Sequence, residues 1–207
     1  MKIIPNIEKL ILTVILGMIA PILGLLSCWW GVLLFLPQNL VPFAALTGLI
    51  LGLIADGIFL KQVVHHAHQM DIRIWVAIHL FYSVGVLGFF MGVPVFNAFL
   101  AIPAGFVIGA RLAYQSADDA RLRAATRQTC IITTIILTLV CIASAFIALA
   151  SPSTPADLEG MLGLRFAITQ AMLRGIILLG GLGLLVVNWL LADFSVRFTY
   201  RFLERLP

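Results

Sequence analysis

The sequence predicts an all-α, polytopic membrane helix bundle of six transmembrane helices with both termini in the cytoplasm. Three observations carry this. Of 207 residues, 62% are hydrophobic and only 11% charged, with a mean hydropathy of +1.11. Ordinary soluble domains carry roughly 25% charged residues, so a water-facing fold could not cover this much apolar surface. The apolar runs are continuous, as in Ile131–Ile136 and Ile176–Leu179, where barrel strands would alternate at period two. Without water in the hydrocarbon core, helices then satisfy the backbone. Finally, the basic residues gather at alternate ends of the runs.

A span needs about 20 apolar residues. The expected spans are 10–36, 41–60, 74–92, 96–112, 130–150 and 175–192, within a single integral membrane domain over 1–207. The first follows Lys2 and Lys9 and is much longer than the ~7–15 residues of a signal-peptide core. It reads as an uncleaved span kinked near Pro21. The turns Pro37-Gln38-Asn39 and Gly92-Val93-Pro94-Val95 are short and uncharged, so their flanking helices are antiparallel neighbours. On the inner side, Ser116-Ala117-Asp118-Asp119 fits a capping box that feeds the fifth span, with Asp119, Arg123 and Arg127 following at four-residue steps. On the outer side, Thr154-Pro155-Ala156-Asp157 fits a second capping box opening a short interfacial helix.

Six spans place Lys2, Lys9, Lys61, Arg73, Arg111, Arg121, Arg123, Arg127, Arg197, Arg201 and Arg205 on one side. Only Arg165 and Arg174 lie on the other. The positive-inside rule makes the richer side cytoplasmic. An odd number of spans would break the alternation. Compactness and minimal loops suggest a prokaryotic cytoplasmic membrane.

Shifting the chain by 57 residues superposes Gly31, Pro37, Gly48 and Gly52 on Gly88, Pro94, Gly105 and Gly109. This suggests a parallel hairpin repeat, 20–57 and 77–114, each with a close-packing Gly-xxx-Gly. Gly180-Gly181-Leu182-Gly183 lies within the sixth span and reads as a packing feature rather than a phosphate cradle.

Ionisable groups inside a membrane are costly, at least ~2.5–3.5 kcal/mol for Asp at a helix centre. Asp56 follows Gly48 and Gly52 at four-residue steps, so it shares their face and is expected to point toward protein. His79, Thr133 or Thr134, and Asn188 fall at similar depth. Together they would form a polar layer in the cytoplasmic third, either a proton or cation site or a structural hydrogen-bond set, with Asp56 alternatively reaching the interface beside Lys61. His65, His68 and Asp71 in the inner loop have residue types that suit zinc, or are solvated interfacial side chains. Gln38, Asn39, Asn97, Gln170, Arg174 and Arg165 could ring an outer entrance, with Arg174 alternatively snorkelling. Trp29, Trp30, Trp75 and Trp189 suit aromatic belts.

Cys28, Cys130 and Cys141 lie in apolar runs with no CxxC spacing and read as small buried residues. Walker, GxSxG and HExxH motifs are absent. No cofactor is implied, and no basic cluster suits nucleic acid.

The segment Thr47-Gly48-Leu49-Ile50-Leu51-Gly52-Leu53-Ile54-Ala55-Asp56 resembles a stretch in the small six-span substrate-binding subunits of energy-coupling-factor vitamin transporters, which are also similar in size. The sequence reading is therefore a small-solute or ion binding or transport component without its own energising domain. Its expected partners are the lipid bilayer, other membrane subunits or further copies of itself. The alternatives are a non-transporting interaction or assembly subunit and a membrane-embedded metal-dependent enzyme.

Overall fold

A computed structural model describes residues 4–35, 37–90, 92–163 and 166–205. The described residues are mostly helical, without a strand. Among them, six helical stretches are long and apolar enough to cross a membrane: Glu8–Phe35, Gln38–His65, Ile72–Phe89, Pro94–Tyr114, Asp119–Ala150 and Gln170–Glu204. The chain forms two compact units, Met1–Met70 and Asp71–Pro207.

The first unit contains α1 (Ile4–Gly17), α2 (Ile19–Phe35) and α3 (Val41–His65). The first span is broken at Met18, three residues before Pro21. Proline has no N–H to give the preceding turn, and the interruption falls there, as the expected kink does. α2 and α3 meet backbone to backbone. A Cβ at Gly48 would overlap Gly24 O and lie 2.9 Å from Cys28 Cβ, and one at Gly52 would lie 2.5 Å from Pro21 Cα. Two glycines one turn apart thus remove the side-chain layer that normally separates helices.

The second unit contains α4 (Ile72–Phe89), a 3-10 helix over Pro94–Leu100, α5 (Ala101–Tyr114), α6 (Asp119–Ala150), α7 (Thr154–Leu162) and α8 (Gln170–Glu204). Gly92, at φ +85°, turns the chain after α4, and Ser144 of α6 donates to its carbonyl at 2.5 Å. α5 packs on α8 through Gly105 and Gly109, where an added Cβ would meet Ser195 Cβ at 2.7 Å and Val196 O at 2.6 Å. The two repeated glycine pairs therefore share a spacing but not a kind of partner. Gly48 and Gly52 close their own hairpin, whereas Gly105 and Gly109 close on a helix far along the chain.

Two sequence expectations shift by a residue or two. Ser116 does not cap α6, because it takes a left-handed backbone, φ 47°. Ser116 N–H returns to Ala113 O and Ala117 N–H to Leu112 O, closing α5 with a Schellman pattern. Asp118 then caps α6 by accepting from Arg121 N–H at 2.9 Å. Likewise α7 is preceded by Ser153, whose hydroxyl donates to Asp157 at 2.8 Å, so Thr154 is the first helical residue rather than the cap.

The larger departure is length. α6 has 32 residues and α8 has 35, roughly 48 and 52 Å at 1.5 Å per residue, against a hydrocarbon core of about 30 Å. α8 continues past the expected inner end of its span, and the helical turn expected before the fifth span is continuous with α6. Their continuations pack into a buried cluster of Leu112, Ala117, Leu122, Val196 and Tyr200. Tyr200 Oη donates to Ala117 O at 2.5 Å. Removing this bond by Tyr200→Phe is expected to cost about 1 kcal/mol, read as a lower thermal unfolding midpoint with unchanged helix content.

Candidate functional site

The second unit buries a polar cluster where α6 meets α8. Asn188 is 1% exposed and Thr133 2%. Asn188 Nδ2 donates to Thr133 Oγ1 at 3.2 Å and to Thr134 Oγ1 at 3.1 Å. Thr133 in turn donates to Cys130 O at 3.3 Å. The other end of the Asn188 amide, Oδ1, is buried without a hydrogen-bond partner among the described residues. Directly below, Ala101, Cys130 and Ala192 form a tight apolar layer. Cys130 and Ala192 lie one turn from Thr133 or Thr134 and from Asn188 along their own helices, and with Ala101 of α5 they pack beside the cluster with small side chains.

A second buried amide stands nearby. Asn97, in the 3-10 helix, is 3% exposed and donates from Nδ2 to Ser83 O at 2.7 Å. Its Oδ1 also lacks a partner among the described residues. Ser83 Oγ donates to His79 O at 2.8 Å, so the half-buried His79 lies one turn along the same face of α4. The register of α5 on α8, with Gly105 against Ala192 and Ser195 and Gly109 against Val196 and Tyr200, places Asn97 within roughly one turn of Asn188 in depth.

The expected polar layer is thus assembled in part. Thr133, Thr134 and Asn188 come together, and His79 belongs to the same unit. Asp56 belongs to the first unit, half-buried on α3 beside Gly17, where an added Cβ would lie 3.7 Å from Asp56 Oδ2. It shares the face of Gly48 and Gly52, as its spacing implies.

Asn97 departs from its expected place at an outer entrance. The 3-10 stretch turns its side chain inward onto Ser83, because a buried amide must find a carbonyl or pay its desolvation. Gln170 and Arg174 are exposed on the first turns of α8, Gln38 and Asn39 are exposed in the first unit, and Arg165 lies outside the described residues. Trp75 also departs from the belt reading: it is 8% exposed, with its indole N–H buried.

The histidines are not in a free loop. His65 ends α3, and His66 follows as its cap, with its ring Nδ1 2.9 Å from Gln62 O. His68 Nε2 lies 2.8 Å from Oε1 of Glu8, a carboxylate 5% exposed on α1. Asp71 caps α4, accepting from Arg73 N–H at 2.8 Å. Among the described residues, no three His, Cys, Asp or Glu side chains gather as a metal ion would need. Glu8 carried no sequence signal of this pairing.

Gly180, Gly181 and Gly183 on α8 behave differently from expectation, and Gly175 shares their setting. None has a heavy atom within 4 Å of where a Cβ would stand, other than its own helix and chain neighbours. They are open backbone rather than packed backbone. No protein-family model, curated protein or solved structure matches this chain.

Proposed function

We propose that the chain is a multi-pass component of a prokaryotic cytoplasmic membrane, inserted with both termini inside, that binds a small cation or an ammonium-bearing solute at the Asn188–Thr133–Thr134 cluster. It would work with partner subunits that supply the driving force. The observation that carries this reading is the Asn188 carbonyl oxygen, buried without a donor among the described residues. An unmet buried acceptor costs about 1–3 kcal/mol. Two such oxygens at similar depth, Asn97 Oδ1 and Asn188 Oδ1, beside two hydroxyls, offer what a hard cation or an ammonium group takes: neutral oxygen ligands. A positive guest would meet the unpartnered oxygen of Asn188.

The reading is tested on the purified chain in detergent, by its melting midpoint in sodium, potassium, ammonium or choline chloride. A guest that binds only the folded state raises the midpoint. Sodium, potassium or ammonium is expected to do so beyond the choline control. Asn188→Leu should abolish the shift while lowering the unliganded stability by only about 1 kcal/mol, the range of interhelical hydrogen bonds in membranes. No cation-specific shift in the wild type, or an equal shift in Asn188→Leu, rejects the reading.

A second reading, a non-transporting interaction subunit, is favoured by the open glycines of α8. Membrane helices use such backbone for close approach by a neighbour. Cysteine crosslinking from position 183 in membranes separates the two. A stoichiometric helical partner, in a protein whose melting ignores every cation, supports this second reading.

A further inference from the structure

On α8, Leu179, Leu182, Val186 and Leu190 form one exposed apolar stripe. It continues without a break into Phe194, Phe198 and Phe202, also exposed, whose rings stack in a ladder with centroids 5.5 and 5.9 Å apart and planes inclined by 17° and 11°. Alongside runs a second ladder at the same four-residue step, Arg197, Arg201 and Arg205. The two ladders line a groove of about 760 Å³ together with Leu190 and Asp193. Arg197 is tied to Asp193, Nε to Oδ1 at 2.8 Å. Arg201 and Arg205 are exposed and have no ion pair among the described residues. Glu204, the carboxylate between them in sequence, lies 3.4 Å from Tyr200 Oη.

Depth says what covers this face. Arg174 and Asp193 are roughly 28 Å apart along the helix, close to the ~30 Å hydrocarbon thickness. Phe194 to Phe202 spans a further ~12 Å, which crosses the headgroup layer of the leaflet on the C-terminal side. A water-facing helix would not carry three stacked phenylalanines there. A second copy of the same face would bring Arg201 and Arg205 against their like. The groove is continuous with the lipid-facing stripe above it, and its unpaired charge is positive.

We propose that this groove is a binding site for an anionic phospholipid, with an acyl chain along Leu190, Phe194 and Phe198 and the phosphate held by Arg201 and Arg205. Arginine suits that phosphate because its planar fork donates two parallel hydrogen bonds. The proposal rests on the membrane reading above, but not on the solute site.

The test uses the full chain purified in detergent and titrated with phosphatidylglycerol or phosphatidylcholine of identical chains, bound lipid being counted by native mass spectrometry. Two arginines near an anionic headgroup predict a preference for phosphatidylglycerol on the order of tenfold or more. Arg201→Gln with Arg205→Gln should erase the preference and leave the melting midpoint unchanged. Phe198→Ala should weaken both lipids equally. Equal retention of the two lipids by the wild type, or an undiminished preference in the double variant, overturns the proposal. So does a photo-reactive group at Phe198 that captures polypeptide instead of lipid in intact membranes. Recovery of the chain as a detergent-free soluble protein would instead overturn the membrane reading itself.

Discussion

Gly48→Leu is expected to prevent α2 and α3 from closing, leaving the first unit unfolded or open. At this crossing the obstacle is backbone. The Cβ alone would overlap the carbonyl oxygen of Gly24, and Cys28 Cβ waits at 2.9 Å on the other side. A flexible side chain could swing away, but a helix carbonyl cannot move without its helix. Separation by roughly 1 Å forfeits a quarter to a half of each contact's dispersion energy, and in lipid no hydrophobic term between helices compensates. Overpacking of cores costs about 1–3 kcal/mol, occasionally more. Gly48→Ala belongs inside that range, and Gly48→Leu at or beyond its upper end. The control is Gly31→Leu, since an added Cβ at Gly31 meets nothing within 4 Å. Midpoints of thermal unfolding in detergent should rank Gly31→Leu near wild type, Gly48→Ala lower, and Gly48→Leu lowest or absent. Equal midpoints for Gly31→Leu and Gly48→Leu would contradict the crossing.

What the chain order revealed and what it hid divide along physical lines. The apolar helices were legible because continuous apolar runs of about 20 residues with few charges stand out from the polar segments between them. The face of Gly48, Gly52 and Asp56 was legible from helical period alone. The continuation of α8 past residue 192 was not, whereas that of α6 was signalled by its capping residues and the four-residue steps of Asp119, Arg123 and Arg127. Beyond its apolar run a helix persists only if something packs on it, and Leu122, Val196 and Tyr200 gain that support from Leu112 and Ala117 of a third segment. Asn97 could not be placed for a related reason. Its position just after a turn suggested an outer rim, while its side chain follows the 3-10 geometry inward to Ser83. Asn188 and Thr133 were found by depth, because two antiparallel spans bring equal depths together whatever their sequence separation. Which helix each glycine pair closes upon depends on long-range pairing and has no local signature.

That long-range pairing makes the second unit vulnerable at one position. Gly109→Val is expected to pry α5 from α8. An added Cβ would lie 2.6 Å from Val196 O, 2.8 Å from Thr199 Cβ and 3.2 Å from Tyr200 N. Two of these three atoms are backbone, and Val adds two methyls that the helix holds in one rotamer. The strain falls between two features that depend on the same contact. On one side, Ser195 Oγ donates to Ile102 O at 2.7 Å. On the other, Tyr200 bonds Ala117. Cys130 reports the outcome. Its thiol is 1% exposed, packed with Ala101 and Ala192, so with Cys28 and Cys141 replaced by serine it should resist maleimide in the native fold. Gly109→Val should expose it, raising labelling steeply, whereas Gly175→Val, at a position where an added Cβ meets nothing within 4 Å, should not. Gly105→Ala tests the same interface more gently. Its added Cβ would meet Ser195 Cβ at 2.7 Å and Ala192 O at 3.0 Å, but alanine adds that one atom where valine adds three, so its effect should fall below that of Gly109→Val. If Cys130 labels equally in all three variants, α5 is not the cover that keeps this layer dry.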